Sequence, residues 1–281
     1  MTTTVRTKMS GSRSSMRGFT LVEMSLVLVV IGLILGAVSI GRDMQRSAEY
    51  VKIKQKFVDQ WVSAYNNHYS RTGVVVGDDQ TAPRYMVNGT NYNSGATSGS
   101  TISGGDMSGV TAPGAICEGA RPTTQAAAGA GQAADSNVSL HQQMLRHGIQ
   151  LPPGRAEGFE DRYVYLDTNG NPQEIQICFQ WNPPGAASGE PSGNVMVITG
   201  LTPDLARALD QMIDGKADAR EGVFRQENIG ARTGSSRVPQ SEWQGNNTFE
   251  IAAANPDEAS EGDREDEDQV MTLVAHYKMN Q

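Results

Sequence analysis

The sequence predicts an α+β protein, with a long N-terminal helix that spans a membrane over its first half and a C-terminal head built on an antiparallel β-sheet. Three observations carry this reading. Phe19 to Ile40 is a run of 22 residues with one charge, Glu23, which matches the roughly 20 residues a helix needs to cross a bilayer core. Tyr50, Ile53, Phe57, Trp61 and Ala64 then recur at spacings of three and four between Lys52, Lys54, Lys56 and Asp59, the pattern of an amphipathic helix. Arg162 to Asp167 and Gln173 to Trp181 flank Thr168-Asn169-Gly170-Asn171, a hairpin signal.

The chain divides into a basic leader (1–18), the membrane segment (19–41), its amphipathic continuation (42–72) and a head (73–281). The leader holds Arg6, Lys8, Arg13 and Arg17 and no acid, so its removal takes the formal charge from -8 to -12. So acidic a product is a poor general nucleic-acid binder, because phosphate neutralisation needs clustered Lys and Arg. No nucleic acid is therefore expected as a partner.

The apolar run is too long for the h-region of a secretory signal, about 7 to 15 residues, and lacks the small-residue cleavage site that would follow one. The cut is expected before it. A carboxylate inside the span costs on the order of 2.5 to 3.5 kcal/mol even on the lenient insertion scale, so Glu23 needs compensation. A free amine at Phe19 of a neighbouring subunit would supply a cation in a low-dielectric setting; the bland alternative is a Glu near the interface that snorkels or is protonated.

Gly18-Phe19-Thr20-Leu21-Val22-Glu23, after a short basic leader and before an apolar helix, resembles the signature of type IV prepilins, a family that includes the pseudopilins of type II secretion. The resemblance covers about 50 residues. It implies a pilin-like fold, cleavage after Gly18 by a membrane prepilin peptidase that also methylates the amine of Phe19, and docking of subunits guided by Glu23. It further implies residence in the lipid bilayer, a cytoplasmic N terminus, a head on the periplasmic side, and then transfer by an inner-membrane assembly platform into a filament of other pilin subunits. Many major pilins carry a proline near the end of this stretch, whereas here Gly32, Gly36 and Gly41 are the only residues that loosen the helix.

Within the head, Thr72-Gly73 is expected to end the long helix. Residues 88–136 are dominated by Gly, Ser, Thr, Ala and Asn and read as a surface excursion too poor in large apolar residues to build a core. A short helix follows from Val138 to His147. In the second hairpin strand Ile175, Ile177, Phe179 and Trp181 share one face, the expected core side, and Gln176, Cys178 and Gln180 the other. Asn194 to Thr199 adds a strand, and Thr202-Pro203-Asp204 opens a helix carrying Leu205, Leu209 and Met212 inward as far as Gly215. Two last strands, Thr248 to Ala252 and Val270 to Tyr277, are separated by an acidic loop at 257–268 and are expected to form a sheet edge.

Cys117 and Cys178 fall on the exported, oxidising side, so a disulfide between them is expected. Two independent thiols are the alternative, since spacing alone does not bring Cα atoms within about 7 Å. Asp167, Asn169 and Asn171 offer oxygens at alternate positions, the opening of a calcium loop. Against this, Pro172 stands where an EF-hand needs Gly and Cys178 where it needs a bidentate Glu, so a plain turn is the favoured reading. The acidic loop at 257–268 is read as solvated rather than as a calcium site. His68, His141, His147 and His276 show no paired spacing that suits a metal. No phosphate loop and no nucleophile elbow occur, so no catalytic residue is proposed and the chain is not expected to be an enzyme. The expected function is that of a filament subunit, a minor pilin or a pseudopilin. The rivals are an adhesin or DNA-uptake pilin, gripping through the Gly/Ser/Thr excursion or the Arg225, Arg232 and Arg237 segment, and a monomeric anchored enzyme or sensor.

Overall fold

The computed structural model describes residues 19–92, 112–119, 134–184, 190–227, 243 and 272–280. The chain forms two compact units, Met1–Ser47 and Ala48–Gln281. The leader, with Gly18, lies outside the described residues, and so do 93–111 and 120–133 of the excursion, the strand expected at Thr248 to Ala252, and the acidic loop at 257–268.

In the first unit the described chain is almost wholly helical: α1 begins at Leu21 and ends, inside the second unit, at Ile53. A π-turn over Lys54–Val58 leads into α2, Asp59–Thr72. The π-turn adds a residue to the helical period. It lets Phe57 and Val58 both enter the core between Ile53 and Trp61, all four fully buried. It also brings together Lys54 Nζ and Asp59 Oδ1, 2.8 Å apart, a pair five residues apart that an α-helix would hold on different faces. Gly73, at φ +75°, ends α2 with its N–H on Tyr69 O at 2.8 Å, as expected of a left-handed cap.

The head is a seven-stranded sheet. Its strands are β1 (Ala115–Cys117), β2 (Ala134–Ser139), β3 (Arg162–Leu166), β4 (Pro172–Asn182), β5 (Gly193–Leu201), β6 (Phe224–Gln226) and β7 (Leu273–Lys278). The order is β2-β1-β4-β5-β7-β6, with β3 beside β4. The expected hairpin is β3 and β4, with Tyr163 opposite Ile175 and Tyr165 opposite Gln173. The sheet is antiparallel except at β1 and β2, which run parallel; it is therefore mixed, not purely antiparallel.

One sheet face packs on the helix stripe. Ile175, Ile177, Phe179 and Trp181 join Ile53, Phe57, Trp61 and Tyr65 in the main core, with the Tyr65 and Phe179 rings 5.1 Å apart and Trp61 Nε1 donating to Glu160 O at 3.3 Å. The opposite face is also buried, as a smaller cluster of Ala115, Cys117, Cys178, Val195, Val197 and Val274.

Two expectations are corrected. The excursion does reach the core: Ala112, Ala115, Ile116 and Cys117 are buried, and Ile116 sits opposite Phe179. A three-residue strand is invisible in a composition averaged over 88–136, because ladder pairing and not bulk apolar content holds it. The C-terminal strand is not an edge, since β7 pairs with β5 on one side and β6 on the other. Strand β6 has only three residues, too few to show the alternation that marks a strand.

The connecting helices follow their caps. Helix α3, Leu140–Arg146, starts where Ser139 Oγ accepts from Gln142 N, two residues later than expected. Helix α4, Pro203–Ile213, starts where Thr202 Oγ1 accepts from Leu205 N, with Pro203 in its first turn. Tyr165 ties the hairpin to this corner: its hydroxyl donates to Gly200 O and accepts from Thr202 N, both at 2.8 Å. Gly200, at φ +80°, is required there, because a Cβ would run into Glu174 O.

Candidate functional site

The N-terminal helix has the wrong surface for water. Phe19 and Leu21 are 80% and 86% exposed, and Leu26, Leu28, Leu33, Leu35 and Ile40 are exposed as well. Burying such a surface in lipid or against other helices is strongly favourable, at roughly 25 cal/mol per Å². By length and composition this helix can cross a membrane.

At its start Thr20 and Glu23 form a reciprocal cap. Glu23 Oε2 accepts from Thr20 N at 2.8 Å and from Thr20 Oγ1 at 2.9 Å, while Glu23 N donates to Thr20 Oγ1 at 3.2 Å. This is the capping-box arrangement, which satisfies orphan donors of the first turn and sets a negative charge against the positive end of the helix dipole. The T-x-x-E spacing of Thr20 and Glu23 marks this local partner in the sequence itself. Both bonds fall on one carboxylate oxygen, and Phe19 lies immediately before the cap.

Residues 13–39 match the prokaryotic N-terminal methylation motif. The motif and the exposed apolar helix fit a type IV pilin-like prepilin, and support a precursor of pilin or pseudopilin type. They imply processing by a prepilin peptidase and assembly with other pilin-type subunits. No curated protein and no solved structure matches the chain.

In the head, Cys117 and Cys178 are joined by a disulfide, with Cα atoms 4.5 Å apart. It lies on the sheet face opposite the aromatic core and links β1 to β4, fixing one strand of the excursion to the hairpin. Asp167 is occupied within its turn: Oδ1 accepts from Asn169 N at 2.9 Å and Asn171 N at 2.8 Å, and Oδ2 accepts from Gln173 Nε2 at 3.0 Å. Of the three arginines read as a gripping segment, Arg225 lies on β6 opposite His276 and bonds Gly222 O; Arg232 and Arg237 lie outside the described residues.

The histidines are less separate than their spacing suggests. His68 and His147 stack edge to face at 4.9 Å. His141, nearly buried, has Glu118, Glu160 and Asp161 within 3.5 to 3.7 Å, and desolvation holds the Asp161 carboxyl above its usual range. His276 meets Glu190 and Glu227, a group whose ligand atoms all lie within 4.8 Å of one another. Spacing missed this group because its members come from three separate parts of the chain.

Proposed function

We propose that this chain is a structural subunit of a type IV pilus-type filament, a minor pilin or pilin-like protein assembled through its N-terminal helix. The observation that carries the reading is the exposed apolar face of Leu21 to Ile40 behind a methylation motif, a surface that has to be covered by lipid and then by neighbouring helices. Prepilin peptidase cuts between Gly18 and Phe19 and methylates the new amine, and Glu23 meets the amine of a neighbouring subunit during docking. The head is then carried on the exported side, where its disulfide is stable. The pseudopilin reading uses the same N terminus and differs only in the system that assembles it.

Mass spectrometry of the protein recovered from membranes tests the processing step. The expected first residue is Phe19 carrying one methyl group; an intact leader in cells with an active peptidase would overturn the reading. Loss of surface filaments, against loss of secreted enzymes, on deleting the gene separates pilus from secretion.

A further inference from the structure

On the sheet face that carries the disulfide, the polar residues that alternation should send to water are buried instead. Gln180 and His276 are fully buried and Asn182 nearly so. His276 stands opposite Val197 on β5 and Arg225 on β6. Two acids close over it: Glu190 from the β4–β5 connection and Glu227 directly after β6, with side chains 6% and 3% exposed. Glu227 is fixed by its backbone N–H, which donates to Val274 O at 2.9 Å.

Carboxylates withdrawn from water need a counter-charge. Glu190 is incompletely satisfied: its Oε2 is 4.0 Å from His276 Nδ1, and among the described residues its buried Oε1 has no hydrogen-bond partner. An unpartnered, buried carboxylate oxygen beside an imidazole and a second acid is a ligand set without its ion.

We propose that Glu190, Glu227 and His276 bind one divalent metal ion of the zinc type. The separation of His276 Nε2 and Glu227 Oε1, 3.4 Å, suits two ligands of one tetrahedral ion, since bonds of about 2.0 Å at that angle place the donors roughly 3.3 Å apart. The imidazole selects against calcium and magnesium, which take oxygen ligands, and favours zinc and its neighbours. Three protein ligands leave a fourth position for water.

Support for the imidazole is already in place. Asn182 Nδ2 is 2.9 Å from His276 Nδ1 and donates to Pro191 O at 3.0 Å, and Gln180 Nε2 donates to Asn182 Oδ1 at 2.6 Å. With a metal on Nε2 the ring carries its proton on Nδ1. Turning the Asn182 and Gln180 amides over together presents Asn182 Oδ1 to that proton, the outer partner that metal-bound histidines use, in exchange for the Asn182 bond to Pro191 O. The ion would tie β6, β7 and the β4–β5 connection together on the side of the sheet that lacks the helix core.

The test uses the full-length protein in detergent, stripped with a chelator, its disulfide intact. Zinc titrated by calorimetry is expected to bind at one ion per chain and to raise the melting temperature, and cobalt to give the absorption bands of a four-coordinate site. Glu190→Gln, nearly isosteric, and His276→Asn should each weaken zinc at least tenfold, and Glu190→Gln should do so with an unchanged far-ultraviolet spectrum. No stoichiometric zinc overturns the proposal. So does wild-type affinity in Glu190→Gln, which would place the ion elsewhere, for instance in the acidic loop. An equal stabilisation by calcium would overturn it too, because a hard-cation site has no use for the imidazole.

Discussion

Glu23 accepts from both the amide and the hydroxyl of Thr20 three residues before it, so the one acid of the apolar run is held by its own helix. The cap and the proposed docking charge therefore fall on one side chain, and substitutions can separate them.

Glu23→Gln keeps an oxygen acceptor for Thr20 but removes the charge, whereas Thr20→Ala keeps the charge and removes the hydroxyl. If the charge guides docking, Glu23→Gln and Glu23→Ala insert normally and assemble poorly, while Thr20→Ala assembles near wild-type levels at a helix cost of about 1 kcal/mol. Immunoblots of membrane and sheared-filament fractions read both steps. Wild-type incorporation of Glu23→Gln would leave Glu23 with the cap alone.

The disulfide closes a sequence separation of 61 residues, for which the chain-entropy model gives roughly 4 kcal/mol of stabilisation. Replacing both cysteines with alanine should lower stability by up to that amount, and reduction should speed proteolysis between Cys117 and Cys178. Chemical denaturation with and without reductant measures the first, and limited proteolysis the second.

Asp210 is fully buried and accepts from Trp243 Nε1 at 2.9 Å. Desolvation pushes its carboxyl up to about 7, with Asp214 and Asp218 adding repulsion. Between the unfolded value of about 3.9 and that figure, the folded protein holds a proton that the unfolded chain has lost, so this group makes stability fall as pH rises through the window. Asp210→Asn should raise the melting temperature clearly at pH 8 and hardly at pH 4. Equal gains at both would mean that titration is not the cause.

His68 works in the opposite sense. Its burial, with His147 beside it, drives the imidazole down to about 4. As pH drops from about 6.5 towards 4 the unfolded chain takes a proton that the folded ring refuses, and stability is lost. His68→Gln should flatten the acid limb of the melting profile. Because the Asp210 and His68 slopes oppose each other over much of this range, Asp210→Asn should make the protein more acid-sensitive than wild type.

Period and composition determined the parts of this protein that depend on neighbours in sequence. The apolar run with its one acid, the stripe from Tyr50 to Ala64, the Gly73 stop, the β3–β4 hairpin with its aromatic face and the Thr202-Pro203 helix start each rest on contacts within a few residues or on one side chain period, and each stands in the structure. Tertiary structure decided what depends on distant pairing. Strand β1 exists because β4 offers it an edge, β7 is interior because three residues after α4 pair with it, and Cys117 finds Cys178 because β1 lies against β4. The gathering of Glu190, Glu227 and His276 is of the same kind: each residue is ordinary in its own segment, and only the closing of the sheet, driven by apolar burial on its other face, brings their charges to one place.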